Sequence, residues 1–421
     1  MTKAVKGTHD LFGEALRYQQ AIVGTARSWL EAAGASEIAT PIFEKTEVFE
    51  RGVGASTDIV QKEMFTFTDR GGRSLTLRPE GTAGVVRAYG EHGMKVWPQP
   101  VKLWYAGPMF RAERPQKGRQ RQFHQVGYEV LGSTHPASDA EAVSLSYFIL
   151  RDLGLTRARL KLGSVGDAED RQRYNQYLRE LLTPYESELS ADSQRRLQAN
   201  PMRIFDSKSD TDQELLKRLG VRPMLDFLGP AAREHFDAVR EILDELGVEY
   251  EIDPTIVRGL DYYARTSWEI HHDMLGAQSA LGGGGRYDGL SELIGGPPSP
   301  GVGWAMGIER VALAMQAEGV SPAPGKRLDI YIAPLDASLV PAALKAAAEL
   351  WPRLRAEYSL SARKPGKAIR EAEKRGAAYV GFLGPDEAAK GVITVKKLDT
   401  AEQHTLTPAE VVAWLTEGGL E

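Results

Sequence analysis

The sequence predicts an α+β fold: a sheet-based domain with a helical insertion, followed by a smaller α/β domain. Two strand-like runs, at 102–110 and 123–131, flank a long polar loop and indicate a sheet with long strands. Between 167 and 247 the sequence changes to charged, helix-forming segments, which indicates an insertion. A linker rich in Pro and Gly, at 321–325, then precedes a compact alternation of strands and helices.

Chain length and composition agree with this organisation. A chain of 421 residues is long enough for two or three domains of about 150 residues each. Hydrophobic residues make up 42% and charged residues 26%, which is enough for a sizeable core without disulfide or metal staples. We predict a first domain at 1–325, carrying the helical insertion at about 167–247, and a second domain at 326–421.

Local patterns predict the individual elements. Apolar spacings of three and four residues indicate helices, alternation indicates strands, and Thr407-Pro408-Ala409-Glu410 forms a capping box before a last helix. The predicted helices are 19–33, 171–182, 231–246, 307–317, 339–357 and the segment after 407. The predicted strands are 36–43 (interrupted by Pro41), a hairpin within 64–77 that turns at 69–72, 102–110, 123–131, 248–252, 267–271, 328–334, 377–383 and 392–396.

Composition excludes several classes of protein. The chain has no cysteine, which removes disulfides, Cys-ligated zinc, iron–sulfur clusters and thiol nucleophiles. It has no run of about 18 apolar residues and no apolar signal segment at its start, so we expect a cytoplasmic protein without a membrane span. A net charge of −5 argues against indiscriminate nucleic-acid binding but allows a local basic site.

Three common motifs fit poorly. The glycines of 301–307 resemble a dinucleotide fingerprint, but three residues rather than two precede the last glycine. His271 and His272 are adjacent, so on a strand they point to opposite faces and cannot share one metal. The four glycines of 282–285 either cradle a phosphate or allow a close backbone approach, and the second interpretation is favoured. No metal-ligand set is predicted.

Three separate segments each contribute an arginine near strands. They are Arg111 in Phe110-Arg111-Ala112-Glu113, Arg258 in 258–263, and Arg310 in Gly307-Ile308-Glu309-Arg310. Each arginine alone is more simply explained as a surface salt-bridge partner. Together they resemble a known pattern.

That pattern is similar to the class II aminoacyl-tRNA synthetases, and within them to the histidyl-tRNA synthetase family. Phe-Arg-x-Glu followed by a basic loop and a strand resembles motif 2, Gly301-x-Gly303 to Glu309-Arg310 resembles motif 3, and the helix before Pro41 resembles motif 1. The two more selective matches to the histidine family are 258–263 and 283–290, and 6–10, 78–82 and 114–119 match the same family. The resemblance covers essentially the whole chain. It implies an antiparallel sheet flanked by helices, with an anticodon-binding domain at the end.

The resemblance implies a ligase that joins L-histidine to histidine tRNA in two steps, through a histidyl-adenylate made from ATP with Mg²⁺. Fixed positive charge suits a site where two anionic reactants meet. Arg111 and Arg258 are the implied catalytic residues, both gripping the α-phosphate and the amino-acid carboxylate. Glu113 would read the adenine amino group, and Arg310 would stack on adenine or grip the γ-phosphate.

The resemblance also implies a histidine pocket. Glu80, Thr82 and Gln125 would accept from the ammonium group, and Glu129 and Tyr263 would read the two imidazole nitrogens, which in neutral histidine are one donor and one acceptor. Tyr262 and Tyr287 would line the pocket beside Arg258. On a strand Gln125 and Glu129 share one face, since they are four residues apart. Ordinary core packing is the alternative for the tyrosines.

The remaining implied partners are RNA and a second copy of the chain. The loop after motif 2 would contact the acceptor end of the tRNA through Arg114, Gln116, Lys117, Arg119 and Arg121. A homodimer follows from motif 1. The basic segment 363–375 lies in the part that resembles an anticodon-binding domain. An RNA-binding surface and a solvated helix face explain its charge equally well. The principal alternative is a catalytically silent paralogue that regulates histidine biosynthesis, which lacks the anticodon domain and has lost site residues.

Overall fold

The chain divides into two compact units, Met1–Ala323 and Pro324–Glu421. The computed structural model describes residues 2–54, 57, 59–116, 118–207, 209–256, 262–325 and 327–417. Among these residues no helix is both long and apolar enough to cross a membrane.

The first unit is built on one large sheet. The strands of this unit are β1 (Ser36–Glu37), β2 (Phe43–Lys45), β3 (Phe65–Thr68), β4 (Ser74–Leu77), β5 (Val101–Phe110), β6 (Gln122–Leu131), β7 (Ala158–Ser164), β8 (Glu251–Ile252), β9 (Ala264–His272), β10 (Ala280–Arg286) and β11 (Gly301–Gly307). The large sheet has the order β1-β5-β6-β11-β10-β9-β7-β8, and β2-β4-β3 form a small second sheet. The neighbours from β5 to β7 are all antiparallel, and the two edge pairs are parallel. The expected antiparallel sheet is confirmed.

Helices cover one face of the large sheet. The helices of this unit are α1 (Gly13–Ala32), α2 (Thr46–Val53), α3 (Thr82–Glu91), α4 (Pro136–Asp152), α5 (Ala168–Leu182), α6 (Ala191–Ala199), α7 (Asp210–Arg218), α8 (Pro230–Glu245), α9 (Leu290–Leu293) and α10 (Ile308–Ala317). Trp104, Tyr128 and Trp268 point from three strands toward α1 and α4: Trp104 stacks under Arg27 of α1, and the other two bond to residues of α4. Because side chains alternate along a strand, the odd-numbered residues of β5, β6 and β11 face the other way. That opposite face carries the candidate site.

Along the sequence, the four helices α5 to α8 follow β7 and precede β8. Asp167 and Asp170 form a capping box at the start of α5, in which each carboxylate accepts from the backbone N–H of the other residue. Pro230 opens α8 at a position where a missing N–H costs nothing. The last of them packs on α4 of the core, where His235 Nε2 lies 3.2 Å from Asp139 Oδ1 and both side chains are buried. The helical character expected for 167–247 is confirmed.

The second unit is a small α/β structure. Its elements are β12 (Leu328–Pro334), α11 (Val340–Leu350), β13 (Ala356–Tyr358), α12 (Pro365–Lys374), β14 (Ala377–Leu383), α13 (Pro385–Lys390), β15 (Ile393–Lys397), β16 (Gln403–Leu406) and α14 (Pro408–Glu417). The strand order is β13-β12-β14-β15-β16, with β12 parallel to both of its neighbours. The capping box at 407–410 is present, since Glu410 accepts from Thr407 N at 2.7 Å and Thr407 Oγ1 from Glu410 N at 3.4 Å.

Several element predictions are wrong in extent, among them the helix expected at 19–33, which begins at Gly13. The helix expected at 339–357 ends at Leu350, because Pro352 disfavours its continuation and Ala356 instead pairs with Ile330 as the start of β13. The strand expected at 36–43 is two strands, one paired with β5 and the other with β4, separated around Pro41. The strand expected at 248–252 is reduced to β8, since only that part reaches β7.

Candidate active site

Strand register brings the predicted site residues onto one face of the sheet. Glu129 of β6 pairs with Gly303 of β11, and Gln125 pairs with Gly307, so these positions share the face opposite α1 and α4. Gly303 pairs in turn with Gly285 of β10. Glycine at three of these positions leaves the sheet surface low, which makes room for a ligand above it.

A cavity of about 390 Å³ lies on this face. Two arginines from the segment after β5 and one from α10 converge on the cavity together with three carboxylates and a glycine-lined floor. The lining residues are Arg111, Glu113, Gly118, Arg119, Gln120, Phe123, Gln125, Glu269, Ala280, Leu281, Gly282, Gly283, Ala305, Gly307, Glu309 and Arg310. The motif 2 and motif 3 residues that the sequence singles out therefore meet in one place.

Arg310 is held at the cavity wall by two backbone carbonyls. Its Nε donates to Gly118 O at 3.0 Å, and one terminal nitrogen donates to Ala280 O at 2.8 Å. Burial lowers the pKa of Arg310, and the neighbouring Arg119 lowers it further. Repulsion between the two cations would be relieved by an anion in the cavity.

Arg111 and Glu113 extend from the end of β5 into the same cavity. Arg111 Nε donates to Pro79 O at 2.9 Å, and its guanidinium lies 5.2 Å from the centre of the Phe123 ring. Glu113 accepts from Arg119 at 2.7 Å. The bond to Pro79 links the cavity to the turn that carries Glu80. Burial raises the pKa of Glu80, and the charge of Arg111 opposes part of that rise.

Glu129 is the centre of a second, closed polar cluster. Its side chain is fully buried, and it accepts from Thr82 Oγ1 at 2.7 Å, from the Tyr105 hydroxyl at 3.4 Å, and from the Tyr287 hydroxyl on its other oxygen. Burial raises the pKa of Glu129 to about 8, even though these hydroxyl donors oppose the rise. A carboxyl group that titrates near neutral pH beside two tyrosines is suited to reading a nitrogen heterocycle.

Glycines make the space for this cluster. A Cβ at Gly303 would overlap the Glu129 carboxylate, and one at Gly301 would overlap the Tyr287 ring. A Cβ at Gly285 would lie 2.5 Å from the Tyr263 ring. Gly282, Gly284 and Gly285 therefore allow close approach on their strand, and Gly282 and Gly283 line the cavity. The close-approach interpretation of this run is therefore confirmed, and the phosphate cradle stays a prediction.

Glu80 and the tyrosine pair complete the cluster. Glu80 caps α3 by accepting from the backbone N–H groups of Thr82 at 2.6 Å and of Ala83 at 3.0 Å, and burial raises its pKa. The rings of Tyr262 and Tyr263 are 4.7 Å apart, and Tyr262 meets Tyr287 edge-on at 5.7 Å. Gln125 Oε1 is buried at the cavity wall, and no residue that the structure describes donates to it, so this acceptor could take a hydrogen bond from a ligand.

In the loop predicted to contact tRNA, some side chains are exposed and others turn inward. Gln116 and Arg119 form a reciprocal pair of backbone bonds at 3.1 and 2.9 Å, and Arg119 turns inward to Glu113. Arg114 and Gln116 are exposed. Arg121 N donates to Gly7 O at 2.8 Å, so the segment containing Lys6-Gly7-Thr8 supports the base of the loop.

Two predicted site residues, Arg258 and Lys117, lie outside the described residues, as do Gly259, Leu260 and Asp261. Their assigned roles stay predictions. Sequence reasoning also missed Tyr105, Phe123, Glu269 and Glu309. The alternation signal for β5 and β6 was available for Tyr105 and Phe123, but nothing local distinguishes them from core aromatics.

Arg286, the arginine that follows the four glycines, has a structural role. Arg286 is fully buried and donates two bonds to Asp139, one to Ser133 O at 2.9 Å and one to Asp288 at 2.9 Å. It therefore anchors the end of β10 to α4. In the described part of the chain, no group of three or more His, Asp or Glu side chains is arranged as a metal site.

A largely antiparallel sheet that gathers arginines from a strand and from the helix after its last strand defines a class II aminoacyl-tRNA synthetase core. The family model described as histidyl-tRNA synthetase matches residues 7–311, and the one described as anticodon binding domain matches 329–418. The chain is 65% identical over 415 residues to the histidine–tRNA ligase of Thermus thermophilus, covering 99% of both chains, and 53% identical over 418 residues to that of Deinococcus radiodurans, covering 96% of this chain and 97% of the relative.

A solved structure agrees. The apo histidyl-tRNA synthetase of S. aureus superposes with a TM-score of 0.82 at 35% identity, covering 99% of this chain and all of that one. The chain belongs to the histidyl-tRNA synthetase family.

Proposed function

We propose that this protein is a ligase that attaches L-histidine to the 3′ end of histidine tRNA at the expense of ATP. Its full-length relatives carry that name, and the chain matches both the synthetase and the anticodon-binding family models. The observation that carries the proposal is the pairing of two sites on one sheet face: the arginine-lined cavity and the closed Glu129 cluster, joined through Gln125 and through the Arg111–Pro79 bond.

In the first step a carboxylate oxygen of histidine attacks the α-phosphorus of ATP. The P–O bond to the β-phosphate breaks and pyrophosphate leaves. Arg111, held by Pro79 O, would bridge the reacting carboxylate and α-phosphate, and Arg310 would meet the outer phosphates or the adenine ring. These guanidiniums are fixed before the substrates arrive, so they stabilise developing charge without reorganising.

Adenine recognition is assigned to Glu113. The Glu113 carboxylate would accept from the exocyclic amino group of adenine. In the structure it accepts instead from the Arg119 guanidinium, at 2.7 Å. The nucleotide would therefore exchange one partner of Glu113 for another, and Arg119 would be available to a phosphate or to RNA.

Histidine specificity is assigned to the cluster. Glu129 would accept from one imidazole N–H, Tyr263 would donate to the other ring nitrogen, and Tyr262 and Tyr287 would enclose the ring. Glu80, Thr82 and Gln125 would receive the ammonium group. Buried polar groups of this kind reject analogues that lack the matching donor by roughly 10⁴–10⁵, since they would be left unpaired.

In the second step the terminal ribose hydroxyl of the tRNA attacks the histidyl carbonyl carbon, and AMP leaves. The exposed residues Arg114 and Gln116, with Lys117 and Arg121, would contact the acceptor end, and the second unit would bind the anticodon. Mg²⁺ keeps several waters and binds through one or two carboxylates plus substrate phosphates. Glu269 and Glu309 on the cavity wall fit that requirement, and the ion would neutralise charge on the leaving pyrophosphate. A homodimer and a cytoplasmic location belong to the same proposal.

The direct test of the first step is ATP–pyrophosphate exchange with each of the twenty amino acids, in the absence of tRNA. Exchange that depends on histidine alone is expected. Exchange with another amino acid instead would overturn the assigned specificity. Arg258→Ala tests the arginine that lies outside the described residues: exchange should fall by at least about 10² while the melting temperature is kept, as for loss of one charge-stabilising contact. A well-folded variant with a normal rate would remove its catalytic role.

A further inference from the structure

Tyr105 contributes the third hydroxyl of the Glu129 cluster, and it lies outside the segments that resemble synthetase motifs in the sequence. It lies on β5 and is 3% exposed, with its hydroxyl 3.4 Å from Glu129 Oε1, the oxygen that also accepts from Thr82. Tyr105 pairs with Gly127 across the β5–β6 ladder, and Leu103 pairs with Glu129. Tyr105 and Glu129 are therefore diagonal neighbours on the face that carries the site.

Two glycines leave the space that the Tyr105 ring occupies. A Cβ at Gly127, from below, or at Gly81, in the turn between Glu80 and Thr82, would overlap the ring. Side chains at either position would push the hydroxyl away from Glu129. The local sequence thus leaves space for this one aromatic ring between the strand and the turn that bears the other pocket residues.

The hydroxyl is suited to act as a permanent donor. Burial and the charges of Glu129 and Glu80 hold the pKa of Tyr105 well above its usual value, so it keeps its proton at neutral pH. A donor bonded to a carboxylate stabilises the ionised form and opposes the effect of burial. Tyr287 and Thr82 have the same effect on Glu129, and both are already assigned to the histidine pocket.

We propose that Tyr105 is a positioning residue that orients the Glu129 carboxylate toward the imidazole of histidine and favours its ionised form, and so sets the pH range over which histidine is used. The inference rests on the proposed function, because it concerns the histidine pocket. Tyr105 acts through Glu129 and need not touch the substrate.

The test is Tyr105→Phe, with Tyr128→Phe as the matched control. Tyr128 is equally buried on the next strand, but its hydroxyl donates to Glu141 on the opposite face. In histidine-dependent pyrophosphate exchange, Tyr105→Phe should raise the KM for histidine about fivefold, as for loss of one hydrogen bond, while kcat and the KM for ATP stay within about twofold. The acidic limb of kcat/KM for histidine should move to higher pH, because Glu129 loses a donor to its ionised form. Tyr128→Phe should leave both the KM and the limb unchanged.

An unshifted acidic limb in Tyr105→Phe would overturn the proposal, even if the melting temperature fell, because it would leave only a packing role. Gly127→Ala provides a second variant that keeps the hydroxyl but displaces the ring, and it should raise the KM and move the limb in the same direction. Failure of the proposed function itself is distinguishable, because the unmodified protein would then show no histidine-dependent exchange at all.

Discussion

Replacing Glu129 by glutamine keeps the shape of the pocket and changes its chemistry. One carboxylate oxygen becomes an NH₂ group, which donates and does not accept. Glu129 now accepts from Thr82 and Tyr105 on one oxygen and from Tyr287 on the other, so in either amide orientation at least one hydroxyl donor meets a donor. In the complex the imidazole N–H favours the ionised carboxylate, so the bound imidazole also loses a charged acceptor.

The size of the effect follows from these two losses. A hydrogen bond to a charged group contributes about 1.5–3 kcal/mol, and a buried group left unsatisfied costs about 1–3 kcal/mol. Taking the lower half of each range gives about 3 kcal/mol, or roughly a 100-fold loss at 1.4 kcal/mol per decade. We expect this loss in kcat/KM for histidine, mostly in KM, with the KM for ATP unchanged because the arginine-lined cavity is untouched.

The assay is histidine-dependent pyrophosphate exchange at saturating ATP, with melting temperature as the check on folding. Glu141→Gln is the control, since Glu141 also accepts from a buried tyrosine but lies on the opposite face of the sheet. A folded Glu129→Gln variant with a normal KM for histidine would refute the assignment of the pocket. An equal loss in the control would show that the effect comes from the strand rather than from the carboxylate.

The remaining predictions concern the cluster, the cavity and stability. Thr82→Val removes the hydroxyl that donates to Glu129 at 2.7 Å while nearly keeping its shape, and should raise the KM for histidine about 5- to 10-fold in the same exchange assay. In Arg310→Lys the side chain cannot donate to both Gly118 O and Ala280 O as the guanidinium does. The KM for ATP should therefore rise at least about tenfold, with little change in the KM for histidine. An unchanged KM for ATP would count against the cavity as the nucleotide site. Folding raises the pKa of Glu129 from 4.5 to about 8, so between these values the folded protein holds a proton that the unfolded chain releases. The contribution of Glu129 to stability is therefore complete below about pH 4.5 and is lost as the pH rises through about 8. The melting temperature of the unmodified protein should therefore fall relative to that of Glu129→Gln between acidic and alkaline pH, and parallel curves would contradict the buried-carboxyl reasoning.

Much of the fold was predictable because it is encoded locally. The linker at 321–325, the hairpin that turns at 69–72 and the capping box at 407–410 each depend on residues adjacent in sequence. Where tertiary pairing competes with local preference, prediction failed. The helix expected at 339–357 gives way to β13, because Ala356 pairs with β12.

The candidate site shows the same division. The motif residues Arg111, Glu113 and Arg310 meet in one cavity as the family resemblance implies, although no local signal predicts their proximity. Tyr105 was missed because a buried aromatic residue on a strand is indistinguishable from core until register places it beside Glu129. The inward turn of Arg119 was also hidden, since a basic loop gives no sign of which arginine pairs with Glu113.

The measurement that tests the central claim most directly is charging of unfractionated tRNA with labelled histidine, in the presence of ATP and magnesium. The account predicts that histidine, and no other labelled amino acid, is esterified to tRNA, and that Glu129→Gln charges poorly at low histidine concentrations. A protein that binds histidine but charges no tRNA would contradict it, and would favour a regulatory role for the same pocket.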